Sequence, residues 1–96
     1  MAIQSFGDKA TEVFFLTGII DSKHGWVSIR KIVLKKLDIL HKANVLYDLR
    51  FPSGNRLEAL KGDLTGYFSI RVNNQWRVIF RWTLKGPTNV KVVDYH

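Results

Sequence analysis

The chain has 96 residues, 46% of them hydrophobic and 12% aromatic, which suits one globular domain spanning residues 1–96 and excludes both a disordered tail and a second core. Fifteen Lys and Arg against eight Asp and Glu give a formal net charge of +7 and a pI of about 10.0, a balance that favours a polyanionic partner, nucleic acid ahead of an acidic protein or membrane surface. The absence of cysteine excludes disulfides and thiolate metal sites and fits a reducing cytoplasm; no apolar run approaches the ~18–20 residues of a membrane span, and no signal-peptide pattern opens the chain.

Ile3-Gln4-Ser5-Phe6 alternates and is expected as a short edge strand. Asp8 has the type of an N-cap for a first helix that runs to about Thr17, with Ala10, Val13, Phe14 and Thr17 on one stripe and Gly18 as its stop. A second helix starts near Ser28. Ile29, Ile32, Val33, Leu37 and Leu40 recur on its inner face, while Lys31, Lys35, Asp38 and Lys42 line the outer one, which either touches phosphates or is merely solvated. Pro52-Ser53-Gly54-Asn55 reads as a turn.

Beyond it the period becomes two. Phe68, Ile70 and Val72 alternate with Ser69 and Arg71, and Trp76, Val78, Phe80 and Trp82 alternate with Arg77, Ile79 and Arg81. A two-residue loop at Asn73-Asn74 would mix the faces. A three-residue loop pairs Val72 with Trp76, Ile70 with Val78 and Phe68 with Phe80, keeping one face apolar, so it is preferred. Asn is expected in the left-handed backbone of that turn. Gly86-Pro87 is expected as a further turn, and Val90 to Asp94 as the last strand. Helices followed by an antiparallel sheet make the fold class α+β.

The charge is spread through the fold: residues 1–42 hold seven basic and four acidic groups, residues 43–96 eight and four. Any anion-binding surface therefore belongs to the folded domain. One face of the hairpin gathers Arg71, Arg77 and Arg81, flanked by Tyr67 and Tyr95, so phosphate donors lie beside rings on which bases stack. The alternative is a solvated sheet face, but like charges held together usually await a counter-charge. Arg56, Glu58 and Lys61 share the segment before the hairpin. Glu58 could serve as general base and Lys61 could stabilise phosphate charge, or both could be structural charges. Asp94-Tyr95-His96 has the types for proton transfer, a histidine near neutrality beside a carboxylate, although a terminal histidine is often idle. His24 and His41, near helix ends, read as structural or incidental, and no His, Asp and Glu cluster has metal-ligand spacing, so no metal is expected.

The opening Ile3-Gln4-Ser5-Phe6, the run LKGDLTGYFSIRVNNQWRVIFRW, residues 60–82, and the terminal Asp94-Tyr95-His96, in that order along nearly the whole chain, resemble HigB toxins of the RelE/ParE superfamily (the plasmid maintenance killer type). The resemblance implies a RelE-like fold related to small microbial ribonucleases, with a short N-terminal strand and two helices packed on a mainly antiparallel sheet. It also implies a type II toxin: a metal-independent, cofactor-free, ribosome-dependent mRNA endoribonuclease that inhibits translation in the cytoplasm. The implied partners are the ribosome with its mRNA and a HigA-type helix-turn-helix antitoxin, operator DNA being reached only through the antitoxin complex, with no membrane involved.

Carried over by the resemblance, Lys61 and Arg77 stabilise the scissile phosphate, and Asp94, Tyr95 and His96 complete the site with His96 as proton donor. Arg56, Arg71, Arg81 and Tyr67 are candidates for RNA contact. The chain departs from the family at Glu58, where many HigB proteins carry histidine; a related toxin uses glutamate as base, so the rate and pH optimum are what the change puts in question. The rival expectation is a non-catalytic RNA- or ribosome-binding protein, or an inactive toxin acting only in an antitoxin repressor complex.

Overall fold

The computed structural model describes residues 1–95, so the expectations placed on His96 lie outside the described residues. Asp8 caps the first helix as expected, its carboxylate accepting the Thr11 backbone N–H at 2.8 Å and satisfying a donor that a helix start leaves unpaired. This helix, α1 (Lys9–Thr17), ends where Gly18 turns into the left-handed region at φ 79°. The Gly18 N–H then donates to the Phe14 carbonyl at 2.7 Å.

The inner face of α1 is turned from the expected stripe. Thr11 and Phe14 are its buried residues, Ala10 and Val13 are half-buried, and Thr17 is exposed. Thr11 goes inward because its hydroxyl has a partner there: it accepts the Val92 N–H at 3.2 Å and ties the helix to the last strand.

A 3-10 turn at Val27–Ile29 leads into α2 (Arg30–Lys42). Val33, Leu37 and Leu40 are buried as their spacing predicts, whereas Ile32 stays exposed. Lys36 shares the buried face instead. Its ammonium donates to Asn55 Oδ1 at 2.6 Å. Residues 52–55 form the expected turn, with a cis Phe51–Pro52 bond ahead of a 3-10 turn at Ser53–Asn55.

Four strands follow: β1 (Glu58–Ala59), β2 (Phe68–Arg71), β3 (Trp76–Thr83) and β4 (Gly86–Asp94). They form an antiparallel meander in the order β1-β2-β3-β4. Phe68 stands opposite Phe80 and Ile70 opposite Val78, and the Val72 N–H donates to the Trp76 carbonyl at 2.9 Å. That is the three-residue-loop register. The loop closes by another device than expected. Asn73 Oδ1 accepts the N–H groups of Gln75 and Trp76, both at 2.8 Å, while neither Asn73 nor Asn74 has a positive φ. A side-chain acceptor replaces the left-handed residue.

Two further expectations are corrected. The β3–β4 turn is Leu84-Lys85, because Thr83 already pairs with Gly86 and Trp82 with Pro87. Pro87 fits near the start of a strand, where no N–H is called on, and its carbonyl accepts the Gln4 N–H at 2.8 Å. β4 is therefore longer than residues 90–94. It carries a bulge that fits one extra residue between Thr88 and Lys91 against Arg81 and Ile79, with Asn89 left-handed at φ 54°. The expected N-terminal strand shrinks to one parallel bridge, Phe6 with Val90, flanked by Gly7 N–H to Val90 carbonyl at 2.8 Å. This arm covers the outer edge of β4.

The core lies between the helices and one face of the sheet, where Phe14, Val33, Leu37 and Leu40 meet Ile70, Val78, Phe80 and Val90. The opposite face carries Glu58, Ser69, Arg71 and Arg77 together with Ile79 and Val93.

Candidate active site

Residues directly opposite on antiparallel strands share a face. Glu58, Ser69 and Ile79 thus line up across β1, β2 and β3, with Arg71, Arg77 and Val93 in the next row on the same face. Arg71 faces Arg77 across the ladder, an unfavourable pair unless each finds an acceptor. Arg71 turns to the Asn74 side-chain oxygen. Arg77 turns the other way.

Arg77 is the centre of the face. Its Nη2 lies 2.7 Å from Glu58 Oε1, and its Nη1 donates to Ser69 Oγ at 2.9 Å and to the Arg56 carbonyl at 3.3 Å. The guanidinium also lies over the Tyr95 ring, 5.0 Å from the centroid. The Arg77 side chain is only 11% exposed while that of Glu58 is 48% exposed, so the carboxylate meets water and can be exchanged. A pair this open is worth roughly 0.2–1 kcal/mol, less than the ~1.5–3 kcal/mol of a hydrogen bond to a charged group. An incoming phosphate can therefore take the outer side of Arg77 while Ser69 and Arg56 hold the inner side.

Arg56 reaches this position through a left-handed backbone at φ 46°, a strained setting for a side-chain-bearing residue that aims its carbonyl at Arg77. Arg81 lies over the Tyr67 ring at 4.6 Å, a second cation–ring pair on the same sheet. Lys61 is exposed ahead of the 3-10 turn Gly62–Leu64 that links β1 to β2, and makes no side-chain hydrogen bond or ion pair among the described residues.

The terminal residues divide. Tyr95 follows β4 onto the Arg77 side, its N–H donating to the Gln75 carbonyl at 2.6 Å. Asp94 stands opposite Trp76, on the helix-covered side, and its carboxylate accepts from Gln75 Nε2 at 3.0 Å. The structure thus brings Glu58, Arg77, Tyr95 and the backbone of Arg56 together, with Arg81 and Tyr67 alongside, while the register of Asp94 sets it on the other face.

Lys36 and Ser69 were the residues that sequence reasoning undervalued. Burial, then the nearby charges of Lys35 and Arg71, lower the pKa of Lys36 from the usual lysine value of 10.5. Its position between Val33 and Leu40 on the apolar stripe was the available signal. Ser69 was visible only as a small polar residue between two apolar ones; its role depends on the strand opposite.

Residues 4–96 match a protein-family model described as RelE-like toxin of type II toxin-antitoxin system HigB. Toxin HigB-1 of Vibrio cholerae serotype O1 is 45% identical over 84 residues, covering 85% of this chain and 84% of that protein. An uncharacterized protein of Haemophilus influenzae is 36% identical over 55 residues, covering 57% of this chain and 54% of its own length. Among solved structures, the Staphylococcus aureus YoeB–YefM complex contains a chain that superposes with TM-score 0.55 at 20% identity, covering 100% of this chain and 99% of that one. A YoeB/ParE toxin from Agrobacterium tumefaciens gives 0.52 at 19% identity, again over 100% of this chain and 99% of the other.

Proposed function

The chain belongs to the HigB-like family of RelE-like toxins of type II toxin–antitoxin systems, and from that premise we propose that it is a metal-independent endoribonuclease that cuts mRNA on the ribosome. The setting of Arg77 carries this reading: a guanidinium held on its inner side by Ser69, packed against a tyrosine ring, and paired on its outer side with a half-exposed carboxylate that can be exchanged.

The reaction is attack of a ribose 2′-OH on the adjacent phosphate. A bond forms from the 2′ oxygen to phosphorus, and the bond from phosphorus to the 5′ oxygen breaks. Glu58 takes the 2′ proton, His96 gives a proton to the departing 5′ oxygen, and Arg77 with Lys61 stabilises charge on the phosphate oxygens. Arg56, Arg71, Arg81 and Tyr67 hold the strand, and Tyr95 keeps Arg77 in place. Asp94, on the other face of the sheet and bonded to Gln75, completes the site from behind. Such acid–base groups contribute about 10²–10⁴-fold each.

A HigA-type antitoxin neutralises the toxin and carries the complex to operator DNA. The structural neighbour solved with YefM supports a protein partner. Action on the ribosome places the protein in the cytoplasm.

The test is induced expression in bacteria of the wild type, Arg77→Ala and a variant lacking His96, with growth scored and mRNA 5′ ends mapped. Arrest with new cuts inside translated codons, lost in both variants, is the expected outcome. Arrest by all three without cuts would mean inhibition by occupancy, and the assigned proton transfers would be wrong.

A further inference from the structure

Apart from Arg56, the segment between α2 and β1 has no part in the chemistry above, yet it presents an unusual surface. Tyr47 is 59% exposed and Phe51 63% exposed, at either end of the 3-10 turn Leu46–Arg50. Their rings meet edge-on at 6.0 Å, and the Arg50 guanidinium lies over the Tyr47 ring at 5.3 Å. Beside them an open pocket of about 250 Å³ is lined by Arg50, Ser53, Arg56 and Leu57. Two aromatic rings and two guanidiniums left in water are costly furniture for a bare loop.

The loop is also fixed from below. Leu49 is fully buried. Asn55, buried too, donates from Nδ2 to the carbonyls of Leu49 at 3.2 Å and Phe51 at 3.1 Å, bracketing the turn that carries the rings. The Lys36 ammonium holds Asn55 from the other side. Asp48, the acid of the turn, is tied to the N–H groups of Asn44 and Val45 at 2.9 and 3.2 Å, so its carboxylate is turned to the local backbone. The surface is thus preorganised.

We propose that Tyr47, Arg50, Phe51 and Arg56 form a second subsite for single-stranded RNA, in which unpaired bases stack on the rings and a backbone phosphate enters the pocket between Arg50 and Arg56. The proposal rests on the reading of the chain as an RNA-acting toxin and names a binding site outside the scissile phosphate. Charge fits the occupant: the protein carries +7 and the pocket two arginines. Placement fits as well, because the Arg56 carbonyl accepts from Arg77, so a strand leaving the Arg77 centre meets this pocket next. Every base has a stackable face, so the subsite holds the strand without reading its sequence.

The test uses the full chain and a short, fluorescently labelled 2′-O-methyl oligoribonucleotide, which cannot be cut, with affinity read by anisotropy at low salt. Tyr47→Ala with Phe51→Ala weakens binding about tenfold or more, the loss of one base stack. Arg50→Gln weakens it less, and Tyr47→Phe with Phe51→Trp restores it. Leu84→Ala, at the fully exposed β3–β4 turn, binds as wild type, and thermal melts establish that each variant is folded. Wild-type affinity in a folded double-alanine variant overturns the proposal, as does a wild type that binds no RNA. So does loss of antitoxin capture with RNA binding intact, which would make the patch a protein-docking surface. Binding that depends on the rings in a protein that cuts no mRNA in cells would leave the subsite standing and remove the nuclease reading.

Discussion

At the residue scale, the pairing of Glu58 with Arg77 ties two functions to one contact. In the mechanism proposed above, Glu58→Gln removes the base but also frees Arg77 for phosphate. Cutting on programmed ribosomes should fall about 10²-fold or more while RNA affinity holds or rises; unchanged cutting would leave Glu58 as only a partner for Arg77. Lys36 poses a different question. Asn55→Ala leaves its ammonium unpaired and should cost about 1–3 kcal/mol in urea unfolding, whereas Lys36→Met removes the buried charge itself. Because burial lowers the Lys36 pKa below 10.5, the unfolded chain holds that proton in an alkaline window where the native chain has released it. Stability gains from this group as pH rises through that window and loses it as pH falls through the folded value. The alkaline rise should therefore be smaller in Lys36→Met than in wild type, and equal slopes would remove Lys36 as its source. These contacts were the least legible part of the sequence. Periodicity marks which face a lysine occupies but not whether an asparagine nineteen residues on can receive it, and Glu58 meets Arg77 only once three strands are in register.

At the element scale the sequence was far more informative, because burial of alternate residues leaves one acceptable register for β2 and β3. The failures there came from residues with more than one use. Gly86-Pro87 has turn composition but opens a strand, since the chain had already reversed at Leu84-Lys85. Gly86 is needed for another reason: at φ 123° a Cβ would stand 2.6 Å from the Ala2 carbonyl oxygen. Gly86→Ala should cost about 1–3 kcal/mol through backbone strain alone, more than the ~1 kcal/mol expected for removing the N-cap in Asp8→Ala. Equal denaturation midpoints for the two variants would show that the strand start relaxes out of this backbone conformation when Gly86 gains a side chain.

At the scale of the whole molecule, the order of helical and alternating segments gave the α+β class, composition favoured an anionic partner, and the sheet places Arg71, Arg77 and Arg81 on the face away from the helices. If Arg56, Arg71, Arg77 and Arg81 each meet a phosphate, the logarithm of RNA affinity should fall against the logarithm of salt with a slope of about −3, and Arg71→Gln or Arg81→Gln should each reduce that slope by about 0.7. A slope unchanged by either substitution removes that arginine from the contact. The order of the strands has one more consequence, for the chain's manufacture. The meander pairs sequence neighbours, but the arm and α1, which are made first, bond to the strand that is made last: Ser5 Oγ to Asn89 N across 84 residues, and Thr11 Oγ1 to Val92 N across 81. A chain still growing holds helices and early strands without the piece that clamps them, and Arg77 without the ring of Tyr95. The arrangement around Arg77 therefore waits on β4, the strand that brings up Tyr95 and that the arm and α1 hold in place.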